Sequence, residues 1–426
     1  MSLIVKKHLN YLLLIVIFTF FLLLPSHEHA LEASTQPQVQ GQSAILMDYH
    51  SGRVLYAKNI KQTMPPASVT KIMTALLVIE KGNLDQVVEV SPHAASTRES
   101  GIYLQAGEKM TRRQLLYACM LPSANDASVA LAESISGEEE DFVELMNQRA
   151  AELGLLDTHF CNPHGLHEDD HYTTAYDLAC LSRMAMQHEV FREIVKTTNI
   201  VIPGPPKEED RSIWNQNRLL YRYDGAVGIK TGYTRQAGNC VVGAAQKDDM
   251  LLIAVSLNSP TVYEDLMAML DYGFANYQLV ELEQSKETHL VTVEGGITDQ
   301  VAAQAEKQLL IAAREDEKFQ FQYSFTPVAG VRAPVNKGDL LGYCTVSLDG
   351  KDIAKIELLA AQGVEARVPP IKALAVGIAG LYKWIILGLI LYWLIRHKSG
   401  QEVLKAILRP IVLLIIKKRT PRSRAH

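Results

Sequence analysis

The stretch PPASVTKIM, residues Pro65–Met73, decides how this chain is interpreted. Two prolines interrupt what precedes, and the following apolar residues recur at helical spacing, which predicts a helix through Leu77. A separation of three residues places Ser68 and Lys71 on one face of that helix, beside its apolar stripe. Burial there would lower the pKa of Lys71, and a neutral amine accepts the proton of a serine hydroxyl. The pair predicts a serine nucleophile; a capping serine beside a solvated lysine is the alternative.

A second short motif, Ser123-Ala124-Asn125, follows Pro122 and interrupts another helix-like stretch, Arg113–Glu133. A loop at this point presents a hydroxyl and an amide side by side. We predict that Ser123 relays a proton and that Asn125 holds a carbonyl of the substrate. The alternative is that the motif only caps the helix that follows it.

A third motif, Lys230-Thr231-Gly232, lies at the start of a strand-rich region. At the edge of a sheet, Lys230 and Thr231 can hold a carboxylate through charge and hydrogen bonding. Gly232 allows the backbone to approach a substrate closely. The N–H of Tyr233 can then join that of Ser68 in an oxyanion hole. An ordinary turn at the head of a strand is the alternative if the motif stands alone.

Strand-like runs lie at both ends of the region that holds these motifs, and helix-like segments lie between them. Ser43–Leu46 and Val54–Ala57 read as one hairpin, and Cys240–Ala245 and Met250–Leu257 as another. This order predicts an α+β domain in which both termini build one sheet that helices cover. A final helix would close this domain, which we place at residues 34–276.

The region 277–369 has a different pattern. Phe319, Phe321, Tyr323 and Phe325 alternate with polar residues, which is the period of a half-buried strand. Asp349-Gly350 separates two apolar runs and predicts a hairpin turn. We therefore expect a small all-β domain here.

The two ends of the chain are apolar. Lys6 and Lys7 precede an apolar run, which predicts a signal peptide over residues 1–33, with an uncleaved anchor as the alternative. A second run predicts a membrane anchor over 370–396, either transmembrane or amphipathic, that contacts membrane lipid. In residues 397–426, Lys and Arg far outnumber Asp and Glu, which predicts a cytoplasmic tail. We expect a protein of the cell membrane with its catalytic domain outside the cytoplasm.

Composition excludes other classes of protein. The chain has 426 residues, 48% of them hydrophobic, and a formal net charge of -5. These values exclude a disordered chain. Because the basic residues concentrate at the ends, the middle of the chain is distinctly acidic, which excludes nucleic acid as an electrostatic partner.

The sequence also contains a possible zinc motif and several cysteines. His167-Glu168-Asp169-Asp170-His171 fits the His-Glu-x-x-His pattern, which requires a helix to bring both imidazoles together. Pro163 and Gly165 lie just upstream, so we predict a polar loop in which His171 fixes the local structure. The 5 cysteines form no Cys-x-x-Cys pair and are predicted to be free thiols. We expect no metal and no organic cofactor.

The three motifs, in this order and spacing, resemble those of the penicillin-recognising serine enzymes. Their flanks, SVTKIMT at 68–74, LPSANDA at 121–127 and GIKTGYT at 228–234, resemble the low-molecular-mass penicillin-binding proteins that are serine-type D-alanyl-D-alanine carboxypeptidases. So do NPHGL at 162–166 and HYTTA at 171–175. The resemblance covers about residues 40–275 and implies a β-lactamase/transpeptidase-like domain. It extends more loosely over the predicted β domain.

The resemblance implies that the substrate is the stem peptide of peptidoglycan. Ser68 would attack the carbonyl between the two terminal D-alanines, with Lys71 as general base and Ser123 as proton relay. Asn125 would orient the peptide. The residues that would bind the terminal carboxylate or line its site are Lys230, Thr231, Gly232 and Tyr233.

β-Lactams would inhibit by acylating Ser68. A class A-like β-lactamase, and a catalytically silent wall-binding scaffold on the same fold, are the alternatives.

Overall fold

The computed structural model describes residues 36–205, 208–282, 287–306, 308–318, 320–367 and 370–417. The predicted signal peptide and Phe319 lie outside these residues. The described residues form two compact units. The first holds the chain up to Thr288 with 304–327 and 342–358, and the second holds 289–303, 328–341 and the chain from Leu359 onward.

Helices and strands alternate through most of the described chain. The helices are α1 (Lys71–Lys81), α2 (Pro92–Ser96), α3 (Arg112–Met120), α4 (Asn125–Ser136), α5 (Glu139–Glu152), α6 (Ala175–Ala185), α7 (Glu189–Lys196), α8 (Leu219–Arg222), α9 (Val262–Asn276), α10 (Pro370–Arg396) and α11 (Lys398–Lys417). The strands are β1 (Ser43–Asp48), β2 (Val54–Lys58), β3 (Val87–Glu89), β4 (Lys109–Thr111), β5 (Asn199–Ile202), β6 (Arg211–Trp214), β7 (Ala226–Thr234), β8 (Gly238–Lys247), β9 (Met250–Leu257), β10 (Gln278–Glu281), β11 (His289–Thr292), β12 (Gln300–Gln304), β13 (Leu310–Ala313), β14 (Gln322–Pro327), β15 (Leu340–Leu348) and β16 (Lys351–Ala360).

The first unit is built on a five-stranded antiparallel sheet in the order β2-β1-β9-β8-β7. Two of these strands come from the start of the unit, and the other three come from a segment that begins about 170 residues later. The predicted sheet built from both termini is therefore confirmed. β7, which carries the Lys-Thr-Gly motif, is one of the two outer strands, so one of its edges has no strand beside it in this sheet.

Helices cover both faces of this sheet. Ile45 and Met47 of β1 pack in one apolar cluster with α1, whereas Ala44 and Leu46 pack in a second cluster with α9. Neighbouring side chains separate in this way because successive residues of a strand point to opposite faces. β9 is buried at every position. The sheet is thus the middle layer of three.

Helix α1 runs through the larger apolar cluster and is buried from Lys71 to Val78. Its apolar residues surround the helix on all sides, which is typical of a helix inside a core. Each such side chain, when fully buried, stabilises the fold by about 1.5–3 kcal/mol. The core therefore fixes the helix that carries Lys71. The predicted helix through Leu77 is confirmed and ends at Lys81.

The C-terminal region is rich in strands, as predicted. In the first unit, β14 pairs antiparallel with β15. Asp349 and Gly350 follow β15 with φ values of 51° and 72°, the conformation of a two-residue hairpin turn. In the second unit, β11 pairs antiparallel with β12. The all-β character is confirmed, while the boundaries at 276 and 369 stay predictions.

Helices α10 and α11 end the described chain. Across the described residues, no helix has the combined length and apolar character that a membrane crossing needs. The anchor at 370–396 stays a prediction. Residues 418–426 of the predicted tail lie outside the described residues.

All cysteines are free thiols, as predicted. Cys119, Cys240 and Cys344 are buried, and Cys161 and Cys180 are partly exposed. Burial raises the pKa of the Cys119 thiol above its ordinary value, so this thiol stays protonated.

Candidate active site

Ser68 lies in a 3₁₀ turn, Ala67–Thr70, that leads directly into α1. Ala67 has a φ of 51°, a left-handed conformation that costs a residue with a Cβ about 1–2 kcal/mol. The hydroxyl of Thr70 donates to the carbonyl of Ala67 at 2.8 Å and holds the turn. Ser68 is thereby presented to a groove of about 650 Å³.

Lys71 is fully buried, and its ammonium nitrogen contacts three oxygen atoms. Nζ lies 3.1 Å from Ser68 Oγ, 2.7 Å from Asn125 Oδ1 and 2.7 Å from the carbonyl of His164. Desolvation, and then the nearby charge of Lys230, lower the pKa of Lys71 to about 7. A large fraction of this side chain is therefore neutral near neutral pH.

The three contacts of Lys71 explain how the neutral amine is oriented. A neutral amine has two N–H groups and one lone pair. The oxygens of Asn125 and His164 accept only, so they take the two N–H groups. The lone pair then faces Ser68 Oγ, which can donate its proton. The structure brings the predicted nucleophile and general base together in the geometry that proton transfer needs.

Ser123 and Asn125 lie where the second motif predicted an interruption, because α3 ends at Met120 and α4 begins at Asn125. Ser123 has a φ of 67°, lines the groove, and its buried Oγ has no hydrogen-bond partner among the described residues. That hydroxyl is available to a substrate. The amide oxygen of Asn125 is occupied by Lys71, and its nitrogen donates to the carbonyl of Arg98 at 3.0 Å.

The Lys-Thr-Gly motif lies on β7, and its residues face in different directions. Thr231, Gly232 and Tyr233 line the groove. Lys230 is only 1% exposed, and its Nζ donates to the carbonyl of Thr231 at 3.1 Å. Burial lowers the pKa of Lys230 to about 8. Lys230 therefore lies beneath the groove surface, and its charge is the second cause of the lowered pKa of Lys71.

Gly232 sets the distance between β7 and the nucleophile. A Cβ at this position would lie 2.8 Å from the backbone nitrogen of Ser68 and 3.0 Å from that of Val69. Real Cβ atoms almost never lie within 3.0 Å of another heavy atom, and the atom met here is backbone, which cannot move aside cheaply. Only glycine lets the strand run this close to the serine turn, which explains why the motif requires it.

The segment 162–166 positions Lys71, a role that our sequence reasoning did not assign. Asn162 Oδ1 accepts from the N–H of Gly165 at 2.7 Å, which holds this loop closed. The carbonyl of His164 then reaches Lys71, and the carbonyl of Pro163 accepts from Thr74 at 2.6 Å. The resemblance of NPHGL to the family was the available signal, but it carried no role.

His171 also supports the serine turn. Its Nε2 lies 2.9 Å from Thr70 Oγ1, and its Nδ1 accepts from the N–H of Cys161 at 3.3 Å. Burial lowers the pKa of His171 to about 4, so the ring is neutral. Residues 167–171 form a non-helical loop. The prediction that His171 fixes local structure in a polar loop is confirmed.

Asp126 is a further residue that sequence reasoning missed. It is buried, and its carboxylate accepts from the N–H groups of Ile102 and Leu104 at 3.0–3.3 Å. The N–H of Asn125 donates to the carbonyl of Ser100 at 2.7 Å. The start of α4 therefore holds the loop that brings Ser100 to the groove.

A serine activated by a buried lysine, beside a Ser-x-Asn loop and an outer Lys-Thr-Gly strand, defines the class of penicillin-recognising serine hydrolases. The profile of the D-alanyl-D-alanine carboxypeptidase family, peptidase family S11, matches residues 30–261. That of the C-terminal domain of penicillin-binding protein 5 matches residues 277–366. The chain belongs to the D-alanyl-D-alanine carboxypeptidase family S11.

Individual similar proteins also carry the names of this family. The chain is 36% identical over 338 residues to D-alanyl-D-alanine carboxypeptidase DacF of Bacillus subtilis, covering 76% of this chain and 86% of that protein. It is 31% identical to DacC of Escherichia coli, covering 81% of this chain and 89% of that protein. The crystal structure of penicillin-binding protein 5 from Haemophilus influenzae has a TM-score of 0.63 and 30% identity, covering 78% of this chain and 99% of that chain.

Proposed function

We propose that this protein removes the terminal D-alanine from peptidoglycan stem pentapeptides through an acyl-enzyme on Ser68. The observation that carries the proposal is the 3.1 Å contact between Ser68 Oγ and the buried nitrogen of Lys71. The pKa of about 7 makes that nitrogen a competent base at neutral pH. The names of the family and of its relatives support the choice of substrate.

Acylation begins with proton transfer from Ser68 to neutral Lys71. As the proton leaves, Ser68 Oγ forms a bond to the carbonyl carbon between the two terminal D-alanines. Charge develops on the carbonyl oxygen, and the N–H groups of Ser68 and Tyr233 stabilise it. Gly232 keeps these two groups near each other, because it allows β7 to approach the serine turn.

The carbon–nitrogen bond then breaks, and the departing amine of D-alanine requires a proton. Ser123 supplies the path, since its Oγ lies in the groove with no partner among the described residues. The proton comes from the ammonium of Lys71. Water next attacks the ester on Ser68, again with Lys71 as base, and releases the shortened peptide.

The test uses labelled penicillin and a peptide ending in D-Ala-D-Ala, with Ser68→Ala as the control. We expect the wild-type protein to form a slowly hydrolysed penicillin adduct and to release D-alanine, and S68A to do neither. Rapid turnover of penicillin without D-alanine release would favour the β-lactamase alternative. An absence of both adduct and release would favour the silent scaffold.

We further propose that the protein works at the outer surface of the cell membrane, held by its C-terminal helices. Trp384, Leu387 and Trp393 on α10 are exposed, and such side chains suit the boundary between lipid and water. The full chain should sediment with vesicles that contain anionic lipid, and a chain ending at residue 367 should stay in solution. Equal sedimentation of both would contradict the proposal.

A further inference from the structure

The antiparallel pair of β5 and β6, the β5–β6 hairpin, presents one face to solvent. Exposure alternates along both strands, because successive residues of a strand point to opposite faces. The inner face contributes buried isoleucines to the larger apolar cluster. The register places four side chains together on the outer face, and all four are exposed: Asn199, Val201, Ser212 and Trp214.

Trp214 is the largest side chain on this outer face. It is 60% exposed, and it is the one tryptophan of the first unit, since the other two of the chain lie in α10. In the part of the chain that the structure describes, its indole makes no hydrogen bond and stacks on no other ring. A ring of this size loses stabilisation when it stays in water. Its exposure therefore indicates a contact with a ligand.

The outer face is held next to the groove in front of Ser68. The N–H of Asn215, the residue after Trp214, donates to the carbonyl of Thr198 at 2.8 Å. The hydroxyl of Tyr221 donates to the same carbonyl at 3.2 Å, and its ring is exposed. Asn215 itself lines the groove. The outer face therefore adjoins the groove wall along the chain, and Tyr221 adds a second exposed ring at the base of the hairpin.

The proposed substrate extends beyond the groove. A groove of about 650 Å³ holds a ligand the size of a short peptide. The stem peptide is attached at its N-terminus to a glycan strand, and four residues of a pentapeptide lie between the attacked bond and the sugar. Four extended residues span at most about 14 Å. The sugar of a bound peptide therefore reaches the surface that adjoins the groove.

The side chains of the outer face fit an uncharged sugar. A hexosamine ring has an apolar face of C–H groups, which packs against an aromatic ring, and carries hydroxyl and acetamido groups at its edge. Asn199 and Ser212 offer an amide and a hydroxyl, which both donate and accept hydrogen bonds. An anionic lipid surface or a nucleic acid would require basic residues, and none of the four side chains carries a formal charge.

We propose that the outer face of the β5–β6 hairpin, with Trp214 as its stacking residue, binds the glycan strand to which the stem peptide is attached. This inference rests on the proposed function. The enzyme then prefers stem peptides that are still attached to their sugars over the free pentapeptide. The groove recognises the peptide, and the hairpin recognises the polymer that carries it.

The test compares D-alanine release from a disaccharide-pentapeptide and from the free pentapeptide, using the full chain. Loss of an aromatic contact corresponds to about 3- to 10-fold. We expect Trp214→Ala to lower kcat/KM for the disaccharide-pentapeptide by that factor, mainly through KM, and so to reduce the preference for it. Trp214→Phe should keep part of the preference. Leu156→Ala removes another exposed apolar side chain of the same unit, and as the matched control it should preserve the wild-type ratio.

A second readout is acylation of Ser68 by penicillin, which carries no sugar and should react equally fast with W214A and wild type. A wild-type protein without a preference between the two peptides, or a W214A protein with the wild-type ratio, overturns this inference alone. Equal losses on both peptides and on penicillin also overturn it, because Trp214 would then shape the groove itself. A wild-type protein that releases no D-alanine from either peptide and forms no penicillin adduct overturns the proposed function as well.

Discussion

The two sides of the groove differ in the number of hydrogen bonds that each makes to its buried lysine. On the helical wall, which comprises the turn Ala67–Thr70, α1 and residues 162–166, Lys71 contacts three oxygens. On the strand wall, residues 230–233 of β7, the Nζ of Lys230 has one hydrogen bond among the described residues, to the carbonyl of Thr231. Both lysines are buried, and both have a lowered pKa.

This difference in contacts separates proton transfer, which Lys71 performs, from the setting of the pKa of Lys71, to which Lys230 contributes. The contacts of Lys71 direct the lone pair of its nitrogen at Ser68 Oγ, so the proton of Ser68 is transferred within the helical wall. In the part of the chain that the structure describes, Lys230 makes no hydrogen bond to Ser68 or Lys71, but its charge is the second cause of the lowered pKa of Lys71. We therefore expect substitutions in the helical wall to have larger effects than substitutions in the strand wall.

The largest effect is expected for Lys71→Met, which removes the general base but fills a similar volume. Acylation of Ser68 by penicillin should slow by about 10²- to 10⁴-fold, the usual contribution of a positioned base. Lys81→Met, at the exposed end of the same helix, should acylate at the wild-type rate. Near-normal acylation by a folded K71M protein would assign the base to another group.

The next effect concerns the loop that holds Lys71. Gly165 has a φ of 89°, and a Cβ there would lie 1.9 Å from the carbonyl oxygen of Ala67. Gly165→Ala should therefore cost about 3 kcal/mol or more of unfolding free energy and slow acylation. Gly154→Ala is the control, because Gly154 has a φ of 71° with no atom within 4 Å. It should cost about 1 kcal/mol, and similar losses for both would exclude the clash.

The sequence predicted the parts of this site that depend on local spacing. Helical periodicity placed Ser68 and Lys71 on one face, and Pro122 marked the break before Asn125. The sequence did not predict that the carbonyl of His164 accepts a hydrogen bond from Lys71. A backbone carbonyl has no sequence signature, and His164 lies 93 positions from Lys71.

For a related reason, the sequence did not predict that the side chain of Lys230 is buried beneath the groove. Alternation along a strand shows that two residues share a face, but not which face the core covers.

A pH effect should also separate the two walls. His164 lies in the helical wall and His171 contacts its serine turn, both buried and neutral, whereas β7 has no histidine. Burial lowers the pKa of His164 to about 3 and that of His171 to about 4. The unfolded chain binds these protons from about pH 6.5 downward and the folded chain does not. Stability is therefore full above pH 6.5 and falls as the pH decreases toward 4.

The loss at pH 5 should be about 2 kcal/mol for each histidine. Unfolding free energies of wild type and His171→Gln at pH 7 and pH 5 measure it. The wild-type difference between the two pH values should exceed that of H171Q by about 2 kcal/mol. Equal differences would show that His171 does not carry the effect.

The smallest effect is expected for Lys230→Met. Removing this charge raises the pKa of Lys71, because Lys230 contributes to lowering it. The acidic limb of the acylation profile should then move to higher pH, with slower acylation near pH 7. At alkaline pH, where Lys71 is neutral in both proteins, the rates should converge if Lys230 acts only through its charge on Lys71. A rate that stays low at every pH would mean that Lys230 itself binds the substrate, and the division between the two walls would fail.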